Sequence, residues 1–148
     1  MPRKSSTPDP IRRYQRKAAA ARRVGEGARC ACGESRPEAL LTGSSEIVCA
    51  ACDRKSKGQT TNDKHHVAGK ANSPITVTVF VNDHRAELTV AQYEWPKATL
   101  GNPTGDPNLK AAAGIRRVID LRRFLCDKFL LPAAEHLESL AENREHES

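Results

Sequence analysis

Aromatic residues are scarce in this chain of 148 residues: three Phe, two Tyr and one Trp make up only 4% of it. Charged residues, by contrast, make up 28%. The length suits one modest domain, and so few large apolar side chains leave it only a thin hydrophobic core. Small domains with thin cores often depend on a bound metal for stability. We therefore expect a single folded unit that metal helps to stabilise.

Long apolar runs are also absent. No segment approaches the roughly 18 to 20 apolar residues that span a bilayer, and the N-terminus lacks the apolar stretch of a secretory signal. We expect a soluble protein with no membrane partner, located in the cytoplasm, or in the host cytoplasm if a phage encodes it. A Gly-rich phosphate loop is missing as well, which argues against a nucleotide hydrolase of that type.

Positive charge is concentrated near the N-terminus. Residues 1–29 hold nine Lys or Arg against two acidic residues, whereas the whole chain has a net charge of +6. The first ten residues are rich in Pro and Ser, and residues 11–24 have almost no apolar face, so a helix there is marginal in isolation. We predict a disordered basic arm over 1–29 that binds DNA phosphates, with a solvated tail as the alternative. Its predicted DNA contacts are Arg12, Arg13, Arg16, Lys17, Arg22 and Arg23.

Four of the five cysteines form two close pairs, Cys30 with Cys32 and Cys49 with Cys52. Tetrahedral zinc takes four thiolates at about 2.3 Å, and paired cysteines on tight turns supply two each. The spacing predicts one structural zinc on these four residues; ordinary buried cysteines and disulfides are the alternatives. A closed four-thiolate site leaves no position for substrate, so the ion would stabilise and not catalyse. Cys126 stands apart and is predicted to be a core thiol.

Three of the five histidines flank a predicted strand over residues 75–81, whose β-branched side chains favour extended structure. His65 and His66 precede this strand, and His84 follows it at the start of a predicted short helix. Adjacent residues on a strand point to opposite sides, so one histidine can bind a metal while its neighbour addresses substrate. A hairpin would return His84 to the same ion, which gives a ββα-metal layout. A chance grouping of histidines is the alternative.

The run KHHVAGKANSPITVTVFVNDHRAEL, residues 64–88, resembles the HNH endonuclease motif of many phage and bacterial proteins. The resemblance implies a metal-dependent nuclease that nicks or cleaves DNA by phosphodiester hydrolysis. It assigns His65 and His84 to a catalytic divalent ion, which is Mg²⁺, Mn²⁺, Ni²⁺ or Zn²⁺, and His66 to the general base. An imidazole suits that role because it titrates close to physiological pH. Lys64, Lys70 and Arg85 would hold flanking phosphates.

The chain departs from the family pattern in its asparagine and in its local cysteines. The family's middle asparagine would fall near residues 75–76, where this chain has none, so Asn72 or Asn82 is the candidate orienting residue. The CxxC pair that many members carry at the junction of strand and helix is replaced here by Phe80 and Asp83. The upstream cysteine pairs must therefore stabilise the fold together.

A third protein ligand for the catalytic ion is not obvious, because Leu88 stands one helical turn after His84. Water, a phosphate oxygen, Asp83 or Asp63 would complete the coordination sphere. The alternative function is a catalytically inactive zinc-binding protein that acts as a DNA-binding or adaptor module with a degenerate HNH hairpin.

The C-terminal part contains a Pro- and Gly-rich segment, residues 97–108, which predicts a loop. From residue 109 to 142 apolar residues recur at helical spacing, which predicts an amphipathic helix that is kinked or broken near Pro132. Its exposed face is a possible site for a protein partner. The predicted fold is α+β: a flexible arm over 1–29, a zinc ribbon with an HNH-like ββα-metal module over 30–96, the loop, and a helix with tail over 109–148.

Overall fold

The computed structural model describes residues 9–43, 45–67 and 74–146, and in these ranges the chain is α+β, as predicted. Its strands form two antiparallel two-stranded sheets. No helix in these ranges is both long and apolar enough to cross a membrane. In chain order the elements are α1 (Pro10–Val24), β1 (Leu40–Leu41), β2 (Val48–Cys49), α2 (Ala50–Ser56), β3 (Asn62–His66), β4 (Thr76–Phe80), α3 (residues 81–94), α4 (Lys97–Gly101), α5 (Pro107–Leu125) and α6 (Leu131–His146).

The first core surrounds the cysteine pairs. β1 pairs with β2 so that Leu40 lies opposite Cys49, and α2 begins directly after β2 with Cys49 as its N-cap. Val81, the first residue of α3, packs into the same core, so the cysteine region and α3 share their buried side chains. The buried members are Cys30, Leu40, Cys49, Ala50, Ala51 and Val81.

The second core lies beneath the β3–β4 hairpin, whose strands pair antiparallel over their full length. The strand predicted over 75–81 is observed as β4, and the helix expected from Asp83 begins two residues earlier, at Val81. α3 is a continuous run of helical segments with a π-helical turn at His84–Leu88 and a 3₁₀ turn at Gln92–Glu94. Four buried side chains join β4 and α3 to α5: Val79, Leu88, Leu121 and Phe124.

The N-terminal helix corrects the prediction of a flexible arm. Residues 10–24 form α1, capped by Asp9, and this helix docks on the end of α3. The Asp9 amide donates to the Glu94 carbonyl at 2.8 Å, and Arg12 Nη1 donates to the Trp95 carbonyl at 2.8 Å. α1 has no buried residue, so polar contacts hold it against the protein. The spacing of apolar residues therefore did not predict that this helix docks. Residues 1–8 of the predicted arm lie outside the described residues.

The C-terminal region also differs from its prediction. Residues 97–101, expected within a loop, form α4, and the long helix starts at Pro107, where Asp106 caps it. Pro132 does not break this helix: α5 passes into α6 through a π-helical turn, Cys126–Leu130. Proline has no N–H for the carbonyl four residues earlier, and the wider turn accommodates that loss. Cys126 is exposed and is therefore not a core thiol.

Candidate functional site

The four paired cysteines converge as predicted. The Sγ atoms of Cys30, Cys32, Cys49 and Cys52 all lie within 4.8 Å of one another, so the cluster can hold a metal ion such as zinc. The Cys32 and Cys49 sulfurs are 3.6 Å apart. Tetrahedral bonds of about 2.3 Å place neighbouring sulfurs about 3.8 Å apart, which agrees with this spacing. The tight turn after Cys30 is closed by a hydrogen bond from the Gly33 amide to the Cys30 carbonyl.

The thiols of this cluster differ in acidity. A backbone hydrogen bond from Cys32 lowers the pKa of Cys30 to about 7. The neighbouring Cys49 sulfur raises the pKa of Cys52 to about 12, because a second thiolate beside the first is repelled. Four thiolates therefore cannot coexist here at neutral pH without a cation, and metal binding must release protons.

Asn82, expected to orient catalytic groups, instead joins α3 to the cysteine region. Its buried Oδ1 accepts a hydrogen bond from the Ala51 amide at 3.0 Å, and its Nδ2 donates to Glu34 at 3.2 Å. Hydrogen bonds from Arg36 lower the pKa of Glu34 to about 2, so this acceptor is ionised. Asn82 therefore links the start of α3 to both cysteine knuckles, and its amide is not directed at the histidines.

Asp83, expected as a possible ligand, is also committed elsewhere. Its Oδ1 accepts hydrogen bonds from Arg36 at 2.7 Å and from Lys128 at 3.3 Å. The Asp83 side chain is 7% exposed, so these cations neutralise a carboxylate that is largely removed from water. Asp83 thus fastens the π turn of the C-terminal helix to α3 and does not join the histidine pair.

The structure brings His65 and His84 together. His65 lies on β3, His84 lies one turn into α3, and their ring centres are 5.4 Å apart at an interplanar angle of 77°. Two imidazoles that share one ion through bonds of about 2.1 Å have ring centres roughly 4.5 to 5.5 Å apart. The observed separation suits a shared metal.

His65 is buried, at 7% exposure, and its Nε2 has no hydrogen-bond partner among the described residues. Burial, together with the nearby His84 and Arg117, lowers the pKa of His65 to about 4. The ring is therefore neutral at physiological pH and keeps a lone pair. An unpartnered buried nitrogen costs free energy, which a coordinated cation would recover.

Asp63 supports His84 from the same strand as His65. Its Oδ2 lies 2.8 Å from His84 Nδ1, and its Oδ1 accepts a hydrogen bond from Arg54 at 2.7 Å. Burial raises the pKa of Asp63, but the hydrogen bonds to His84 and Arg54 outweigh burial and lower it overall. A carboxylate that accepts the Nδ1 proton of a histidine directs the Nε2 lone pair outward, as at many metal sites. Asp63 thus orients His84. The sequence alone could not distinguish this role from that of a metal ligand.

His66 and Lys64 lie on the other face of β3, because side chains alternate along a strand. The Nδ1 atom of His66 is buried and has no hydrogen-bond partner among the described residues.

In the described part of the chain, the cysteine cluster is the one group of three or more ligating side chains whose donor atoms converge. Among the described residues, the histidine pair would therefore offer two ligands to an ion. Asn72 and Lys70 lie outside the described residues.

A cavity of about 580 Å³ lies between α1 and α3, and Asp63 and His84 form part of its wall. Arg16 and Arg23 of α1 and Arg85 of α3 also line it. Structural contacts hold all three arginines: Arg16 stacks 4.3 Å from the Tyr93 ring centre, and the other two donate to backbone carbonyls.

Four other residues predicted to bind DNA fall into two groups, those that bond to the protein and those that are exposed. Arg12 and Arg13 turn toward the protein, where they bond the Trp95 carbonyl and the Glu94 carboxylate. Lys17 and Arg22 are exposed on α1.

Comparisons with known proteins found no matching family model, curated protein or solved structure.

Proposed function

We propose that this protein is a metal-dependent endonuclease that hydrolyses DNA phosphodiester bonds at an HNH-type ββα site. The convergence of His65 and His84 carries the proposal. A hairpin followed directly by a helix places the two rings 5.4 Å apart, and the buried His65 Nε2 lacks a partner. This order of elements and these residue types are what the resemblance of residues 64–88 to the HNH motif implies.

The histidine pair fits a divalent ion through its neutral nitrogens. His65 remains uncharged because its pKa lies near 4, and Asp63 holds the Nδ1 proton of His84 so that Nε2 is the free donor. When bound there, the ion would polarise a phosphate oxygen and stabilise the charge that develops on the leaving oxygen. Water or phosphate oxygens would fill the remaining positions, since the described residues supply two ligands.

His66 is the proposed general base. The water oxygen forms a bond to phosphorus while the bond from phosphorus to the leaving oxygen breaks. The water proton moves to His66, and the leaving oxygen gains a proton from solvent. The unpartnered Nδ1 of His66 has no competing hydrogen bond among the described residues. Arg16, Arg23 and Arg85 provide positive charge for the phosphates next to the reacting bond.

One observation favours the second candidate, a zinc-binding DNA-binding or adaptor protein without activity. His66 lies on the face of β3 opposite His65, and Asp83 is paired with Arg36 and Lys128 instead of serving as a third ligand. In that reading the hairpin is a structural remnant. The cysteine cluster and the basic surface serve both candidates equally, so only an activity measurement separates them.

The deciding experiment measures conversion of supercoiled plasmid by zinc-loaded protein, with magnesium, manganese and nickel supplied in turn. We expect metal-dependent nicking or cleavage. His66→Ala should slow it by about two to four orders of magnitude, as loss of a general base does. His84→Ala should weaken metal binding, and excess metal should restore part of the rate.

His136→Ala is the matched control, because His136 is exposed on α6, far along the chain from the hairpin. It should cut at the wild-type rate. Wild-type protein that leaves the plasmid supercoiled with every metal would support the adaptor candidate. An active protein whose His66→Ala variant cuts normally would retain the nuclease and overturn the choice of base.

A further inference from the structure

The long C-terminal helix, residues 107–146, exposes an apolar stripe that no described part of the chain covers. Its first half, α5, buries Gly114, Leu121 and Phe124 on the side that faces the protein body. Ile115 is 63% exposed, Phe129 55% and Leu137 66%. Large apolar side chains recur along one side at helical spacing, and the exposed members are Ile115, Val118, Ile119, Leu125, Phe129, Leu130, Leu137 and Leu140. Stripes of this kind mark interaction surfaces.

The second half of this helix extends beyond the protein body. Every residue from 125 to 143 is exposed, so no described part of the chain covers α6. A helix of this length is marginal in water without tertiary packing, which normally supplies most of its stability. Leu137 and Leu140 therefore lie on a segment that needs a partner to hold it.

The two halves of the helix carry opposite charge. Between residues 110 and 128 there are six Lys or Arg against two Asp, whereas residues 131–142 hold three Glu and no Lys or Arg. Arg122 and Arg123 are exposed in the first half, and Glu135 and Glu138 are exposed in the second. Two such helices attract each other when they run antiparallel, because the basic half of each then lies along the acidic half of the other.

We propose that this helix pairs antiparallel with the same helix of a second copy, around a two-fold axis at the level of Lys128. Ile119 and Leu137, both members of the stripe, are equidistant from that level. They therefore meet across the interface, each copy contributing the same patch, as a two-fold interface requires. Lys128 itself bonds Asp83 on the body side, which leaves the stripe side open for the second copy.

The arrangement joins two protein bodies at opposite ends of a helical pair. Each α6, which is uncovered in one copy, then lies along the α5 of the other copy, so both exposed segments are covered at once. The acidic charge of α6 opposes nucleic acid as the occupant of this surface. The inference does not depend on the proposed nuclease activity.

The test is sedimentation of the full zinc-loaded chain over a range of concentrations. We expect a species of twice the 16.2 kDa chain mass. Leu137→Glu should raise the dimer dissociation constant by at least about tenfold, because it places a charge in the apolar stripe of both copies. The fold should persist, since Leu137 is exposed in the single copy.

Ser139→Glu is the matched control: it adds the same charge two residues away, on the other side of the helix, and should leave the dimer intact. Reversing charge with Arg122→Glu and Arg123→Glu should weaken the dimer, and adding Glu138→Arg, next to Leu137 at the border of the stripe, should restore part of the affinity. If the two helices ran parallel, the combined substitutions would not restore the affinity of the dimer. A monomer at every concentration would overturn the proposal and leave a different protein as the partner that covers the stripe. A dimer that tolerates Leu137→Glu would also overturn it.

Discussion

Oδ2 of Asp63 lies 2.8 Å from Nδ1 of His84, although the two residues are 21 positions apart in the chain. This contact crosses from β3 to α3 and fixes which nitrogen of His84 is free. Asp63→Asn keeps the size of the side chain but removes its charge, so we predict a loss of about 10- to 100-fold in affinity for a divalent ion at the histidine pair.

Calorimetric titration of zinc-loaded protein with manganese or nickel measures this affinity. Asp53→Asn is the control, because Asp53 pairs with Lys57 on α2 and its substitution removes the same charge. Equal affinities in the two variants would mean that Asp63 does not orient His84.

The cysteine cluster gives a prediction on stability. Cys49 is fully buried and caps α2, so Cys49→Ala should remove the metal and much of the folding free energy with it. Metal analysis of purified protein should fall from one zinc per chain to none, together with a lower melting temperature. Cys126→Ala, at an exposed position outside the cluster, should change neither quantity. Zinc retained by the Cys49 variant would refute a four-thiolate site.

Asn82→Ala should destabilise the fold by about 1 to 3 kcal/mol, since it leaves the buried Ala51 amide without an acceptor. Chemical denaturation measures the change, and Asn62→Ala on the exposed edge of β3 is the comparison. Any loss of cleavage by Asn82→Ala should follow the loss of folded protein. A fully stable variant that fails to cut would instead return Asn82 to the catalytic role that the sequence suggested.

Asp120 gives stability a pH dependence. Burial raises its pKa, while the Trp95 indole, which donates to Oδ2 at 2.8 Å, partly offsets that rise. A folded pKa above the unfolded one favours the fold at low pH, and this contribution is lost as pH rises through the folded pKa. Asp120→Asn keeps an acceptor for Trp95 and cannot ionise. The stability of the variant relative to wild type should therefore increase from acidic to neutral pH in urea denaturation series; a constant difference would contradict this account.

The basic surface of α1 divides into docked and free residues. Lys17 and Arg22 are exposed, whereas Arg12 bonds the Trp95 carbonyl. Replacing Lys17 and Arg22 together by Ala should reduce the salt dependence of duplex binding by up to about 0.9 units of slope per lost phosphate contact, with unchanged stability. Arg12→Ala should lower the melting temperature instead. An unaltered salt slope in the double variant would place the DNA surface elsewhere.

The sequence predicted the features that depend on residue type and local spacing. The cysteine pairs, the strand before His84 and the amphipathic C-terminal helix all carry such signals, and a hairpin followed by a helix is enough to bring His65 and His84 together. The α+β class followed from the same elements.

The sequence did not predict contacts that depend on polar side chains from distant segments. α1 has no apolar stripe and docks through arginine contacts with carbonyls. The spacing of its apolar residues therefore predicted a flexible arm. Asp83 looked available beside His84, yet Arg36 and Lys128 approach it from other elements. Likewise, only the folded hairpin shows that Asp63 reaches the Nδ1 side of His84.

The bond from Arg12 to the Trp95 carbonyl spans 83 positions, which determines when α1 can dock. A chain made from its N-terminus produces this cationic helix first and its docking site much later. The cysteine region and the hairpin can close in between, because their partners lie nearer in the chain. The start of α1 is therefore the last of these parts to dock during synthesis: Arg23 at its end reaches the carbonyls of Pro37 and Leu40 early, whereas Arg12 has no acceptor until residue 95 emerges.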